Sequence, residues 1–169
     1  QDAATALTTG SHNVFIGSTA GLQATDMLGC VAIGSGALGS ADPGNNNIAI
    51  GESAGTNITG ARNLCIGENA GDNITSGSGN VIIGSAVDPS SATDNRQLII
   101  AGNDGSTTTT WITGDNSGNL TFPGTLGVTG AVTANAGVVV DNITIDGTEI
   151  DLSSGDLTVD VAGDITLDA

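Results

Sequence analysis

Short apolar runs recur along the first part of the chain, each preceded by a polar residue and closed by glycine. The copies read N-V-F-I-G at 13–17, C-V-A-I-G at 30–34, N-I-A-I-G at 47–51, N-L-C-I-G at 63–67 and N-V-I-I-G at 80–84. The closing glycines are 16 or 17 positions apart and are Gly17, Gly34, Gly51, Gly67 and Gly84. Three residues after the glycine comes Ala in four copies and Val87 in the fifth, and a degenerate sixth copy, Q-L-I-I-A-G, occupies 97–102. Self-similarity of this kind predicts a repeat architecture.

The period predicts an all-β fold, a parallel β-solenoid or β-roll with about 17 residues per coil. That length is too short for a helix pair but suits one coil, in which the apolar run forms a strand and the glycine makes the repeat turn. We expect the coil to return through a second short strand, such as 57–59 or 73–75. Like residues of successive coils would then stack at the ~4.8 Å spacing of paired strands.

Each apolar run divides into two sets, because alternate side chains of a strand point to opposite faces. We predict that the first and third positions fill the inside of the coil. These coil-core residues are Val14, Ile16, Val31, Ile33, Ile48, Ile50, Leu64, Ile66, Val81 and Ile83. The middle positions are apolar as well, which predicts burial against other copies of the chain. This interface set is Phe15, Ala32, Ala49, Cys65 and Ile82, together with Trp111 as a plug between chains.

The motif N-x-A-I-G-x-x-A resembles the head repeats of YadA-type trimeric autotransporter adhesins, and the same repeats recur in trimeric tail fibres of bacteriophages. The resemblance covers about residues 10–102. It implies an intertwined, left-handed parallel β-roll of three chains, so that the interface set becomes a trimer interface. Cys30 departs from the motif, where the family carries a polar residue, and the coils are longer than is usual in the family.

The pattern changes after Gly102. Residues 103–125 contain the turn sequences G-D-N-S-G and P-G, which predict a connector with short strands. From 126 a polar-apolar-Thr-apolar cadence, as in N-I-T-I-D and D-I-T-L-D, predicts an intertwined β-rich shaft. This cadence is similar to the shafts of phage fibre proteins, those of cyanophages especially. The predicted domains are therefore a β-roll head at 1–102, the connector at 103–125 and the shaft at 126–169, which we expect to continue past Ala169 in a longer polypeptide.

Composition and charge narrow the range of partners. The 169 residues include 27 Gly and only 2% aromatic residues, and the formal net charge is −16, with Arg62 and Arg96 as the only cations. The sequence contains no cluster of basic residues that could bind a phosphate backbone or an anionic membrane surface. No apolar run approaches the ~20 residues of a membrane span. We expect neither a nucleic-acid partner nor membrane insertion.

Catalytic residues are not predicted. His12 is the single histidine and no G-x-S-x-G surrounds a serine, so a nucleophilic triad has no support. Two carboxylates would suffice for a glycosidase, but Phe15, Trp111 and Phe122 are too few aromatic residues for a row of sugar subsites. Sugar stacking on Trp111 is the alternative to its interface role.

No cofactor is expected. Cys30 and Cys65 lack metal-ligand spacing and occupy different repeat positions, which favours two buried apolar side chains over a disulfide. A structural cation such as calcium is the alternative in the second half, where the candidate carboxylates are Asp141, Asp146, Glu149 and Asp151. Apolar residues replace the intermediate ligands that a calcium-binding EF-hand loop requires.

These features predict a non-enzymatic structural and adhesive protein, a virion fibre segment of the phage tail-fibre kind that contributes to attachment at the host cell surface. Its partners would be itself as a homotrimer, other virion tail or baseplate proteins, and a host receptor such as a polysaccharide. The loops 22–29, 40–46 and 87–96 would make multivalent contacts. The alternatives are the head of a bacterial trimeric autotransporter adhesin, located on the bacterial surface, and a capsular polysaccharide depolymerase.

Overall fold

A computed structural model describes residues 2–39 and 42–135, and these residues form a parallel β-solenoid of about five coils. Its strands are β1 (Val14–Ile16), β2 (Val31–Ile33), β3 (Ile48–Ile50), β4 (Leu64–Ile66), β5 (Val81–Ile83), β6 (Leu98–Asn103), β7 (Thr108–Gly114) and β8 (Leu120–Thr121). The sheet keeps chain order, parallel from β1 to β6 and antiparallel from β6 to β8. The part of the chain that is described contains no helix. The predicted all-β solenoid is confirmed.

Equivalent residues of successive coils pair without a slip. Ala32 pairs with Ala49, and Ala49 pairs with Cys65. The coil that begins at Asn47 is one residue shorter than its neighbours, yet its strand keeps register. The repeat length read from the sequence is therefore the physical length of a coil.

Two consecutive turns, rather than a second strand, return the chain to the next coil. In the third coil Ala54 N donates to the carbonyl of Gly51 (3.3 Å), and Ile58 N donates to that of Gly55 (3.2 Å). Positive φ angles of 55° at Ser53 and 57° at Gly55 curl the backbone between these bonds. The predicted second strands at 57–59 and 73–75 are wrong, because Ile58 and Ile74 close the second turn of their coils.

The inside of the coil is filled by the middle residue of each strand, opposite to our prediction. Ala32, Ala49 and Ile82 are fully buried, whereas Ile16 is 57% exposed. The predicted coil-core residues lie partly or largely exposed on the outer face: Val14, Ile16, Val31, Ile33, Ile48, Ile50, Leu64, Ile66, Val81 and Ile83. The predicted interface residues that instead face the interior are Phe15, Ala32, Ala49, Cys65 and Ile82.

The small volume of the coil explains this reversal. Each coil has only 16 or 17 residues, and its turns already contribute buried side chains such as Ala54 and Ile58. One inward residue per strand completes the packing. Two branched residues per strand would overfill a close-packed interior.

Asparagines at the start of the repeat form an asparagine ladder along the solenoid. Asn47, Asn63 and Asn80 are buried in it, and Asn13 is half-buried. Asn63 shows the pattern: its Oδ1 accepts from Asn80 N (2.9 Å) and its Nδ2 donates to the carbonyl of Gly77 (2.9 Å). Asn80 repeats it, accepting from Gln97 N (2.8 Å). Each side chain therefore ties its own coil to the next one.

Cys30 interrupts this ladder with weak sulfur contacts. Its thiol donates to the carbonyl of Gly44 (3.5 Å), and Asn47 N donates to its Sγ (3.4 Å).

These are the partners that an asparagine would have at this position, so Cys30→Asn should raise the free energy of unfolding by about 1 kcal/mol. Urea denaturation measures the change. Cys65→Asn is the control and should destabilise, because Cys65 lies in the apolar interior; a loss of stability in both variants would contradict the prediction.

The chain divides into two compact units, Gln1–Gly127 and Val128–Ala169. The connector predicted at 103–125 contains β7 and β8, and these strands extend the sheet of the first unit. Of the second unit only residues 128–135 are described; they are exposed and contain no strand. The rest of the predicted shaft, with the candidate calcium ligands, lies outside the described residues.

Candidate interaction surfaces

The first and third positions of β1–β6 form a continuous apolar stripe, which we call the outer ladder. It consists of Val14, Ile16, Val31, Ile33, Ile48, Ile50, Leu64, Ile66, Val81, Ile83, Leu98 and Ile100. Exposure reaches 57% at Ile16 and 44% at Val14, and is 36% at Ile50 in the third coil. Contiguous exposed apolar surface of this kind marks an interaction site.

Trp111 extends the outer ladder beyond the last parallel strand. Ile100 pairs with Ile112 and Ala101 with Thr110, so Trp111 is the extra residue of a β-bulge. Its indole lies against Gly102, where an added Cβ would be 2.8 Å from ring carbons Cη2 and Cζ2. Gly102 is two positions beyond Ile100 and shares its face. Trp111 is 55% exposed and, unlike the other five residues of the predicted interface set, is available to a partner.

A shallow groove adjoins Trp111. It has a volume of about 480 Å³ and is lined on the opposite side by Phe122 and Pro123. Phe122 is itself 39% exposed. The groove places two of the three aromatic residues of the chain beside the end of the outer ladder.

A second concave surface, the hairpin cavity, lies between the loop at 87–96 and the β7–β8 hairpin. Its volume is about 310 Å³. Ser90 and Asp94 line it from the loop, Asn116 and Thr121 line it from the hairpin, and Ile99 lines it from the sheet. Sequence reasoning proposed the loop as a contact surface but missed the cavity.

Asp115 fixes the hairpin side of this cavity. Its Oδ2 accepts from Asn119 Nδ2 (2.7 Å), and its Oδ1 accepts from the backbone N–H groups of Asn119 and Ser117 (2.9 Å each). The bonds from the Asn119 side chain and backbone, followed by those from Ser117 and Gly118, lower the pKa of Asp115. Its carboxyl group is therefore ionised at neutral pH.

The two cysteines are free and buried, as predicted, and form no disulfide. Burial raises the pKa of the Cys65 thiol to about 12, and the nearby charge of Asp88 acts in the same direction. Burial also raises the pKa of the Cys30 thiol. Both are protonated at neutral pH and lack the thiolate character of a reactive cysteine.

The described residues contain neither a candidate metal-binding cluster nor a membrane-spanning helix. Within 2–39 and 42–135, no three His, Cys, Asp or Glu side chains are grouped so that they could hold a metal ion. No helix long and apolar enough to cross a membrane occurs in the same residues.

Comparison with known proteins gives no match to a family model, to a curated protein or to a solved structure.

Proposed function

We propose that this chain is a segment of a homotrimeric, non-enzymatic fibre of the bacteriophage tail-fibre kind, which contributes to attachment at a host cell surface. The observation that carries the proposal is the outer ladder. It is apolar at every coil, and in a single chain its residues are half-buried or exposed.

The geometry of the ladder favours copies of the same chain as its partner. Like residues recur at every coil, so parallel copies arranged around a common axis bring equivalent residues to the same height. Such packing covers the apolar stripe along its whole length. The acidic residues elsewhere, within a formal net charge of −16, keep the assembled surface soluble.

The attachment role follows from the form of a stacked, multi-chain rod. Paired backbones give stiffness, and three copies of each loop can bind a surface together, so that weak single contacts add up. The resemblance of the repeat motif to phage tail-fibre heads supports this role. The head of a trimeric autotransporter adhesin shares the resemblance, and a heptad-rich stalk after residue 169, read from the parent gene, would favour that alternative.

The assembly is tested by light scattering coupled to size exclusion. The expected mass is three times that of one 16.3 kDa chain. Ile50→Glu should shift the mass to that of a single folded chain, because it places three carboxylates in an apolar interface, at a cost of several kcal/mol. Ser35→Glu is the matched control: Ser35 is exposed and occupies the repeat position where later coils carry Glu52 and Glu68, so its mass should not change. A wild-type chain that is a folded monomer would refute the proposal.

A further inference from the structure

We propose that the hairpin cavity is a binding site for an uncharged saccharide. This inference deepens the proposed function by naming the chemical class of the receptor, and in that respect it rests on the surface-attachment role. Binding at the cavity can nevertheless be measured without it.

The loop side of the cavity is held in place by a buried side chain. Gln97 is only 7% exposed; its Oε1 accepts from Ser90 Oγ and Ser91 N (3.2 Å each). Its Nε2 donates to the carbonyls of Ser91 (2.8 Å) and Asp94 (3.2 Å). The amide therefore fixes the segment that carries Ser90 and Asp94, so that a ligand would not have to order it.

The opposite wall is tied to this loop. Arg96 follows Asn95 at the end of the loop, and its Nη2 donates to the carbonyl of Asn116 in the hairpin (3.3 Å). The hairpin turn is closed by the Asp115 bonds described above. Both walls are thus formed before any ligand arrives.

The lining combines the two surfaces that a sugar ring presents. Ile99, on the inner face of β6, supplies apolar contact for the C–H face of a pyranose. The hydroxyls of Ser90 and Thr121, the Asp94 carboxylate and the Asn116 amide supply partners for ring hydroxyls. The volume of about 310 Å³ lies at the lower end of the ~300–1,000 Å³ of small-molecule pockets. A monosaccharide unit is the appropriate size.

The carboxylates that line the cavity favour an uncharged sugar over an acidic one. Asp94 and Asp115 both line the cavity, and the low pKa of Asp115 keeps it ionised. A uronate or sialate carboxylate would be repelled by these groups.

The cavity lies beside the last coil of the described part of the solenoid. The loop at 87–96 belongs to the last coil, because the chain reverses direction between β6 and β7. Within residues 2–39 and 42–135 no further coil stacks on this loop. The loop itself stacks on the preceding coil through the bond from Thr75 N to the carbonyl of Ala92 (2.8 Å).

Saturation-transfer NMR of the full chain with the methyl glycosides of glucose, galactose, mannose and N-acetylglucosamine tests the proposal. At least one of them should bind, and titration should show about ten-fold weaker affinity for Asp94→Ala and for Asn116→Ala, the effect of losing one hydrogen bond to a charged or amide group. Arg96 and Gln97 donate to the backbone carbonyls of Asn116 and Asp94, so both substitutions keep these bonds. The Asn116 side chain accepts only a 3.4 Å bond from Ser117 Oγ. Glu52→Ala removes one carboxylate from a distant coil and should bind like the wild type.

Three results would overturn the proposal: no binding of any of the four glycosides, affinities unchanged in Asp94→Ala and Asn116→Ala, or equal binding of glucuronate and N-acetylneuraminate. The mass of the same samples separates this inference from the proposed function. A trimer that binds no glycoside refutes the saccharide site alone. A monomer that binds a glycoside through Asp94 and Asn116 supports the site and refutes the fibre assembly.

Discussion

Gly51→Ala should lower the free energy of unfolding by about 3 kcal/mol or more, one of the two largest effects expected of a single substitution in this solenoid. Gly51 has a φ of +136°, a conformation that side chains other than glycine rarely adopt. An added Cβ would also meet the carbonyl oxygen of Gly67 in the next coil. That oxygen belongs to a stacked backbone and cannot move away without disturbing the following coil, where Gly67 has the same conformation with a φ of +131°.

Two other glycines distinguish the cost of a positive φ angle from the cost of the steric clash with the next coil. Gly105 has a φ of +90° but open space around its Cβ position, so Gly105→Ala should show only the conformational cost of about 1 kcal/mol. Gly124 has open space and no unusual φ, so Gly124→Ala should be close to neutral. Urea denaturation followed by circular dichroism ranks the three variants. If Gly51→Ala proves as stable as Gly124→Ala, the close approach of the turns is not a constraint on the fold.

The repeat could be predicted from the sequence because each coil imposes the same local demands. The glycines at 16- or 17-residue intervals predict the turns, and the apolar runs predict the strands that stack in register. The return path was not predictable in the same way. The N-I-T segments have β-forming composition, but hydrogen bonds within the turns, such as that from Ile74 N to the carbonyl of Gly71 (3.2 Å), decide their conformation.

Alternation alone could not show which face of the strand is internal, because both faces are apolar. The sequence did contain a signal in residue size. Middle positions range from Ala49 to Phe15, as expected where each must complement the turn residues of its own coil. The outer positions are uniformly Val, Ile or Leu, as expected of a surface that packs against a regular partner. Uniform residue size along a ladder therefore identifies the outer face of this thin solenoid better than apolarity does.

The hairpin cavity and the placement of Trp111 were beyond sequence reasoning for a different reason. Both depend on the reversal at β6–β7, which ends the period and brings Asn116 beside the loop that carries Asp94. The bulge that directs Trp111 onto the outer face arises from a one-residue mismatch between two strands. Neither feature has a counterpart in the repeat, so no periodic pattern reports it.

Removal of an amide from the asparagine ladder should be nearly as costly as the added methyl group at Gly51. Asn63→Ala leaves the N–H of Asn80 and the carbonyl of Gly77 without their bonds from Asn63 in the buried interior. Each unsatisfied group costs about 1–3 kcal/mol, so a loss of about 3 kcal/mol in unfolding free energy is expected. Asn116→Ala is the control, since Asn116 is exposed and its side chain accepts only a 3.4 Å bond from Ser117 Oγ.

Asn63→Asp distinguishes the hydrogen-bond account from simple loss of volume. The carboxyl group has nearly the shape of the amide and keeps an acceptor for Asn80 N, but when ionised it can no longer donate to Gly77. Burial raises the pKa of such a carboxyl above its unfolded value, so the folded state binds the proton more tightly, and the deficit relative to wild type should grow as pH rises through the acidic range. Urea melts at pH 4 and pH 7 measure the difference. Equal deficits at both pH values, or an Asn63→Ala variant as stable as Asn116→Ala, would show that the ladder does not hold the coils together. The expected result would mean that buried amides, and not the apolar interior alone, keep successive coils in register beneath the outer ladder.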